Sequence, residues 1–152
     1  MDGRAMADFD PAQQRRASGT AQLFEQLARR VLERRNGDDL HASQWSALRY
    51  FSRAGRHAAT VIGLSRYLGN TSGSTSRTAK SLVERGLLSV QPAAHDGRAV
   101  TFSLTEEGNR RLEEDPLHDL SGVLTHLDET EIAEFSRILD KINSQLRHLR
   151  EE

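Results

Sequence analysis

The stretch LSRYLGNTSGSTSRTAKSLVERGLL, residues 64–88, decides the fold of this 152-residue chain. A Gly-Asn pair at 69–70 breaks the chain between two short helices, and Thr71 or Ser72 can cap the second of them. Small and apolar side chains then recur at helical spacing until Arg85-Gly86, which closes this helix. The stretch therefore predicts two helices joined by a tight turn.

Helices are also predicted on the N-terminal side of this stretch. The first begins at Pro11 and continues to the Asn-Gly pair at 36–37, with apolar residues at helical spacing. Ser43 can cap a second helix that ends near Gly55, and Thr60 can cap the third. The helix that follows the tight turn is then the fourth helix of the chain.

Two short strands are predicted on the C-terminal side, over 87–91 and 99–104, where apolar and polar residues alternate. A polar loop, residues 92–98, joins them and can project from the body. Thr105 then caps a fifth helix, which Asp115-Pro116 kinks or restarts. The second, third and fourth helices, followed by two strands with a projecting loop, form the order of a winged helix-turn-helix. We therefore expect a mainly α protein of the α+β class, with this lobe between long N- and C-terminal dimerisation helices.

Charge is distributed unevenly along the chain. The formal net charge is only -1, which taken alone argues against a protein that binds nucleic acid. Residues 43–98, however, hold eight basic residues against two acidic ones, a net charge of +6, whereas residues 99–152 carry −7. This pattern indicates that the middle of the chain meets a polyanion. The alternative is that the arginines only solvate helix faces.

The last helix opens with a capping box formed by Asp128 and Glu131. Its apolar residues follow at intervals of three and four, the spacing of a coiled-coil seam, whereas a helix on a single globular core carries a broader stripe. We expect this face to pack against a second copy of the chain, with the first helix as its natural partner. The alternative is an ordinary helix docked on its own domain. The predicted dimerisation residues are Ile132, Phe135, Leu139, Ile142, Leu146 and Leu149.

Catalytic, metal-binding and membrane functions find little support in the sequence. The chain has no cysteine, and its serines form neither a Gly-x-Ser-x-Gly elbow nor part of a Gly-rich phosphate loop. Asp115, His118, Asp119 and His126 could contribute to a metal site built in three dimensions, but scattered polar residues usually face water. No apolar run approaches the length of a membrane span. We therefore expect a cytoplasmic protein that is not an enzyme, binds no membrane and needs no cofactor or metal.

Three motifs together resemble the MarR family of bacterial transcriptional regulators. They are the stretch 64–88, the Asp-Gly-Arg of 96–98 and the SLTEEG of 103–108, and with the flanking helices the resemblance covers about residues 11–150. The expected organisation is a flexible N-terminus (1–10) and a single domain (11–150), which consists of a winged helix-turn-helix lobe (43–104) and dimerisation helices (11–36 and 105–150).

The resemblance implies an obligate dimer in which each protomer presents its fourth helix to the major groove of DNA and the loop between its strands, the wing, to the minor groove. On the helix, Arg77 can contact guanine or phosphate, while the hydroxyls discriminate weakly. Gly73 and Thr75 depart from the family pattern, so we expect a soft helix start and more readout of DNA shape. For 96–98, a simple turn with a solvated ion pair is the alternative. The predicted DNA-binding residues are Thr71, Ser72, Ser74, Ser76, Arg77 and Lys80 on the helix, and His95, Asp96 and Arg98 on the wing.

The resemblance also implies a function. We expect a sequence-specific regulator that binds double-stranded DNA as a homodimer on a pseudo-palindromic operator, and that acts as a repressor responsive to a small aromatic or phenolic anion. The candidate effector pocket comprises Phe24, His41, Trp45 and Arg49. The alternative is a helical dimerisation or adaptor protein that keeps the winged-helix fold without specific DNA binding.

Overall fold

The computed structural model describes residues 10–32, 40–93 and 96–149, without the side chains of 93 and 96–99. These residues form seven helices and one two-stranded antiparallel sheet, which confirms the predicted fold class. The elements, in chain order, are α1 (Pro11–Leu32), α2 (Ala42–Arg53), α3 (Val61–Leu68), α4 (Ser72–Glu84), β1 (Leu88–Ala93), β2 (Asp96–Leu104), α5 (Glu106–Glu113), α6 (Leu117–Leu124) and α7 (Glu129–His148).

The chain divides into two compact units, residues 1–37 and 38–152, so the single domain expected over 11–150 stays a prediction. Within the first unit, α1 starts at Pro11 as the sequence predicts. Asp10 accepts a hydrogen bond from the N–H of Ala12 at 2.9 Å, which satisfies a backbone donor that the helix itself leaves unpaired. The predicted end of this helix at 36–37 lies outside the described residues.

The hydrophobic core lies in the second unit and is built around α2, which contacts α3, α4, α5 and β2. Four apolar residues of the core come from α2 alone. The buried core consists of Leu40, Trp45, Ala47, Leu48, Phe51, Ala59, Leu64, Ala79, Leu82, Leu87, Leu88 and Phe102.

The turn between α3 and α4 forms as the sequence predicts. Thr60 accepts a hydrogen bond from the N–H of Gly63 and so caps α3, while Thr71 accepts one from Ser74 and caps α4. Gly69 ends α3 in the left-handed region at φ 63°, a conformation that glycine adopts without steric cost. These caps fix where α4 begins.

The start of α2 differs from the prediction. The helix begins at Ala42 with His41 as its N-cap, two residues before the predicted cap Ser43. The side chain of Gln44 accepts a hydrogen bond from the backbone N–H of His41 at 2.8 Å and so closes the helix end. A glutamine at the third helical position therefore supplies the capping group.

The two strands are longer than predicted, and the expected seven-residue loop is correspondingly shorter. Leu88 pairs with Leu104 and Val90 with Phe102, and the pairing continues to Pro92 opposite Val100 before the register shifts. Proline has no N–H to donate to a neighbouring strand. Both strands of a two-stranded ribbon are edge strands, so Pro92 can belong to β1 where its missing N–H would face solvent. The N–H of Phe102 also donates to the carbonyl of Ala59, which ties the ribbon to the segment before α3.

The C-terminal helices begin where the sequence predicts. Thr105 caps α5, the break at Asp115-Pro116 precedes α6, and Asp128 with Glu131 forms the capping box of α7. Helix α5 contacts α2 and β2, so it packs on the lobe. In the ranges that the structure describes, α6 and α7 make at most sparse contacts with the other helices and strands. We call α6 and α7, residues 117–148, the C-terminal arm.

Candidate nucleic-acid interface

Helix α4 presents one face to the core and the other to solvent. Thr75, Ala79 and Leu82 are buried, and the Thr75 hydroxyl donates to the carbonyl of Thr71 at 2.9 Å, so this polar side chain is satisfied in the core. The predicted DNA-binding side chains of this helix are exposed, apart from Ser74, which is half-buried. The exposed ones are Thr71, Ser72, Ser76, Arg77 and Lys80.

The hydroxyls of this face divide into two groups. Thr71 and Ser74 are used in the helix cap, because each accepts or donates a hydrogen bond within the first turn. The hydroxyls of Ser72 and Ser76 make no hydrogen bond to any residue that the structure describes. Those two groups are therefore available to phosphate oxygens or base edges.

Two cations stand on the same face. Lys80 lies 3.7 Å from Glu84, but both side chains are exposed, so this pair is weak and exchangeable. Arg77 has no carboxylate partner within the described ranges, and its guanidinium carries five donors in a planar fork. Because α4 has no acidic residue in its first turn, the positive end of its dipole is also uncompensated there.

Three further basic residues belong to the positively charged block 43–98, and the sequence assigned no role to them. Arg53 ends α2, Arg56 follows it, and Arg66 lies in α3; all three are exposed. The excess of positive charge over residues 43–98 was the feature of the sequence that could have identified these three arginines as candidate phosphate contacts.

The wing can be described only in part. Asp96 and Arg98 lie at the start of β2, and their side chains are outside the described residues, as is the whole of His95. The ribbon below them is held by paired strands and by the Ser89 and Ser103 hydroxyls, which lie 2.8 Å apart. The backbone of Asp96 therefore lies at the end of the ribbon opposite to the Leu88–Leu104 pair, which packs in the core.

The predicted dimerisation face of α7 lies open in the single chain. Helix α7 has no buried residue, and Ile132 and Leu149, at the two ends of the face, are 39% and 69% exposed. Phe135 and Leu139 are half-buried, while Ile142 and Leu146 are exposed like the end residues. Ile138, which the predicted seam omits, is exposed as well.

Comparison with known proteins indicates a family for part of the chain. Residues 38–99 match the model of the MarR family. This similarity indicates a transcriptional regulator that binds DNA, and members of that family are in general not enzymes. None of the curated proteins matches the sequence.

Solved structures share the fold of this chain. Staphylococcus aureus MepR in complex with DNA has a TM-score of 0.69 at 18% identity, over 86% of this chain and 95% of that one. The PcaV regulator of Streptomyces coelicolor, in complex with its natural ligand, has a TM-score of 0.65 at 21% identity, over 91% and 98%. Bordetella bronchiseptica BpsR, whose DNA binding is regulated by 6-hydroxynicotinic acid, has a TM-score of 0.65 at 18% identity, over 84% and 98%.

The four candidate effector residues have different surroundings. Trp45 is buried, and the guanidinium of Arg111 lies 5.5 Å from the centre of its ring. His41 is the exposed N-cap of α2, and Phe24 lies in α1, in the separate unit 1–37. Arg49 forms an ion pair that could not be predicted from the sequence.

Arg49 forms a fork-shaped ion pair with Asp115. The guanidinium Nε donates to Oδ2 at 2.5 Å and a terminal nitrogen donates to Oδ1 at 2.6 Å, while Oδ1 also accepts the N–H of Leu117 at 2.9 Å. Burial acts to raise the pKa of Asp115, but the hydrogen bonds from Arg49 and Leu117 outweigh it and hold the pKa below its usual range. Since 66 residues separate the partners, no local pattern could have revealed the pair.

The same pair bears on the alternative of a metal site. Asp115 forms an ion pair with Arg49, and Asp119 also interacts with a neighbouring residue. Over the described ranges, no group of three histidine or acidic side chains is placed to hold a metal ion. No helix within those ranges is long and apolar enough to cross a membrane.

Proposed function

We propose that this chain is a sequence-specific regulator that binds double-stranded DNA as a homodimer on a pseudo-palindromic operator in the bacterial cytoplasm. The observation that carries the proposal is the outward face of α4, which combines free hydroxyls and the Arg77 guanidinium on a helix whose opposite face is buried in the lobe. An α-helix has the width of the major groove, and residues near its N-terminus reach base edges first.

The composition of this face favours a particular kind of recognition. Arg77 is the long side chain of the first two turns that can contact guanine with two donors, or a phosphate. Ser72 and Ser76 discriminate little between bases, because a hydroxyl both donates and accepts. We therefore assign a large share of the specificity to DNA shape, read in the minor groove by Arg98 of the wing with Asp96 and His95 beside it.

The dimer is supported by the open apolar face of α7. A long, exposed apolar stripe on an amphipathic helix is unfavourable in water and marks a surface that another protein surface covers. The seam spacing of its residues fits a second helix of the same type. Two copies would place two α4 helices on half-sites about one helical turn apart.

Ligand response is part of the proposal. The fold is shared with BpsR, whose DNA binding is regulated by 6-hydroxynicotinic acid, and this acid is an aromatic anion of the expected class. Such a ligand would act by binding the arrangement of protomers that DNA does not accept, which makes the protein a repressor released by its effector. His41, Trp45 and Arg49 are the proposed contacts in the second unit, and a carboxylate at Arg49 would compete with Asp115.

The test begins with DNA whose sequence is chosen by the protein. Purified protein selects from a pool of duplexes with a random central region, and its affinity for the enriched duplex is measured by fluorescence anisotropy over a salt series. We expect a palindromic enriched sequence and a steep salt dependence, with a log-log slope of about −0.9 for each phosphate contact.

A scrambled duplex of equal composition is the matched control and should bind at least about a thousandfold more weakly. Equal binding of both duplexes would favour the adaptor alternative, whose support is that α4 offers few long side chains. Addition of 6-hydroxynicotinate or benzoate tests the ligand response separately, since loss of DNA binding without dissociation of the dimer is the expected result.

A further inference from the structure

Helix α2 has a buried polar link to the recognition helix. Gln44 is almost fully buried, and its amide nitrogen donates to the hydroxyl of Ser81 on α4 at 3.0 Å. Its amide oxygen accepts the N–H of His41 at the start of α2. One side chain therefore joins the first turn of α2 to the last turn of α4.

A second buried polar link leaves α2 one and a half turns later and reaches the C-terminal arm. The side chains of Arg49 and Asp115 are only 14% and 6% exposed, and their two hydrogen bonds form a planar fork. The same carboxylate accepts the N–H of Leu117, the first residue of α6. The Asp115 carboxylate therefore connects α2 directly to the backbone where the C-terminal arm begins.

Little else among the described residues holds the arm against the lobe. Helices α6 and α7 make at most sparse contacts with α3, α4 and the sheet, so the direction of the arm depends on the short break between α5 and α6. Asp115 and Pro116 are the buried residues of that break. A contact that fixes Asp115 consequently fixes the angle at which the arm leaves the lobe.

The chemistry of the link suits orientation better than stabilisation. A hydrophobic contact is not directional, whereas a guanidinium and a carboxylate joined by two parallel hydrogen bonds fix both distance and angle. Replacing a buried ion pair with apolar residues of similar size is often neutral or stabilising, so such a pair is weak evidence for stability. Its specific contribution here is geometric.

We propose that α2 couples the recognition helix to the C-terminal arm through Gln44–Ser81 on one side and Arg49–Asp115 on the other, so that Arg49 and Asp115 are positioning residues that set the distance between the two recognition helices of the dimer. The separation of half-sites that the dimer accepts follows from this distance. The inference rests on the proposed function, because it explains which spacing of half-sites the regulator selects.

The first experiment measures spacing preference. The enriched duplex is compared with a version that carries two extra central base pairs, which rotate one half-site by roughly 70° relative to the other. We expect wild-type protein to bind the longer duplex at least about tenfold more weakly, and the Arg49→Leu/Asp115→Leu variant to lose most of this discrimination while it stays dimeric in sedimentation. The control is Arg110→Leu/Glu107→Leu, which removes an exposed ion pair on α5 and should keep the wild-type ratio.

A second variant covers the case in which the apolar pair fails to fold. Arg49→Lys keeps the positive charge but cannot form the fork, so it should also broaden the accepted spacing. The inference would be overturned if every folded variant kept the wild-type ratio of its affinities for the enriched and the lengthened duplex. A merely structural role of the pair would alter thermal stability and leave the ratio unchanged.

A distance measurement tests the same inference without DNA. The chain contains no cysteine, so spin labels attach only at Glu84→Cys on α4 and Asp140→Cys on α7, and dilution with unlabelled protein isolates distances within one chain. We expect a narrow distance distribution in the wild-type background and a broader one with Arg49→Lys or the double leucine substitution. Equal widths would overturn the inference. If the wild-type protein selected no DNA sequence, the proposed function would fail, and this measurement would still decide the coupling.

Discussion

At the scale of single residues, the outward face of α4 offers few groups that distinguish one base pair from another. Ser72 and Ser76 are free, but a hydroxyl contributes little selectivity, whereas Arg77 can match the two acceptors of guanine. The sequence predicted this face correctly in its orientation, since the spacing of Thr75, Ala79 and Leu82 fixes which side is buried. Which of the exposed side chains touch DNA stays a prediction.

Arg77→Ala should weaken binding to the enriched duplex by about 1–3 kcal/mol, because it removes the principal base or phosphate contact of the helix. Anisotropy titrations at one salt concentration measure the effect. Arg137→Ala, which removes an exposed arginine of α7, is the control and should leave the affinity unchanged. Wild-type affinity in the Arg77 variant would mean that α4 is not the reading surface.

The ion pair of Asp115 leads us to expect that the stability of the fold depends on pH. Its pKa lies below the usual range in the folded protein, so its ion pair stabilises the fold above the ordinary carboxyl pKa of about 3.9, and this stabilisation is lost as the pH falls through the lower folded-state value. Asp115→Asn should therefore be less stable than wild type at neutral pH, with a gap that narrows below about pH 4. Urea unfolding at several pH values measures the gap.

Glu107→Gln provides the comparison for that experiment. Glu107 also has a lowered pKa because of its hydrogen bond with Arg110, but both side chains are exposed to water. Its variant should show no resolvable gap at any pH. A constant gap for Asp115→Asn down to pH 3 would contradict the assigned role of the ion pair.

At the scale of secondary-structure elements, the ends of helices were the most predictable features. Thr60, Thr71, Thr105 and Asp128 cap their helices as expected, because capping needs only residues within one turn. The predicted start of α2 was wrong, because Gln44 closes this helix through a longer side chain than the usual capping hydroxyl. The predicted strands were too short, because pairing beyond their predicted ends depends on the partner strand.

The contact between α5 and the ribbon yields a prediction at this scale. A Cβ atom at Gly108 would collide with the carbonyl oxygen of Leu87, so Gly108→Ala should lower the free energy of unfolding by about 1–3 kcal/mol. Gly122→Ala is the matched control, because open space surrounds that glycine within α6 and alanine favours a helix by about 1 kcal/mol. Chemical denaturation of both variants gives the comparison, and equal stability would refute the close packing.

At the scale of the whole molecule, the sequence contains the charge separation and predicts the fold class, but it does not predict the links between distant elements. The +6 of residues 43–98 includes α2 to β1 with the start of β2, and the −7 of residues 99–152 includes the C-terminal arm. Arg49–Asp115 and Gln44–Ser81 join residues far apart in the chain, and a single sequence contains no signal for such pairs. Coupling between lobe and arm therefore emerges only from the structure.

The expected homodimer gives the prediction for the whole molecule. Ile142→Glu should lower the mass in sedimentation velocity towards that of one chain of 17.0 kDa, because a charge would enter the apolar interface. Ile142 is 44% exposed in the single chain, so the fold of the protomer should survive. Gln145→Glu introduces the same charge on an exposed polar position of α7 and should remain dimeric. A dimer that persists with Ile142→Glu would refute the seam.

The fork between Arg49 and Asp115 also constrains how the chain can change over evolutionary time. Losing either partner alone leaves a buried charge without compensation, which typically costs about 3–5 kcal/mol, a large fraction of the stability of a small domain. Exchange of both residues for an apolar pair avoids that cost. Descendants of this sequence should therefore keep both residues or replace both, and those that replace both should be free to drift toward operators with a different separation of half-sites.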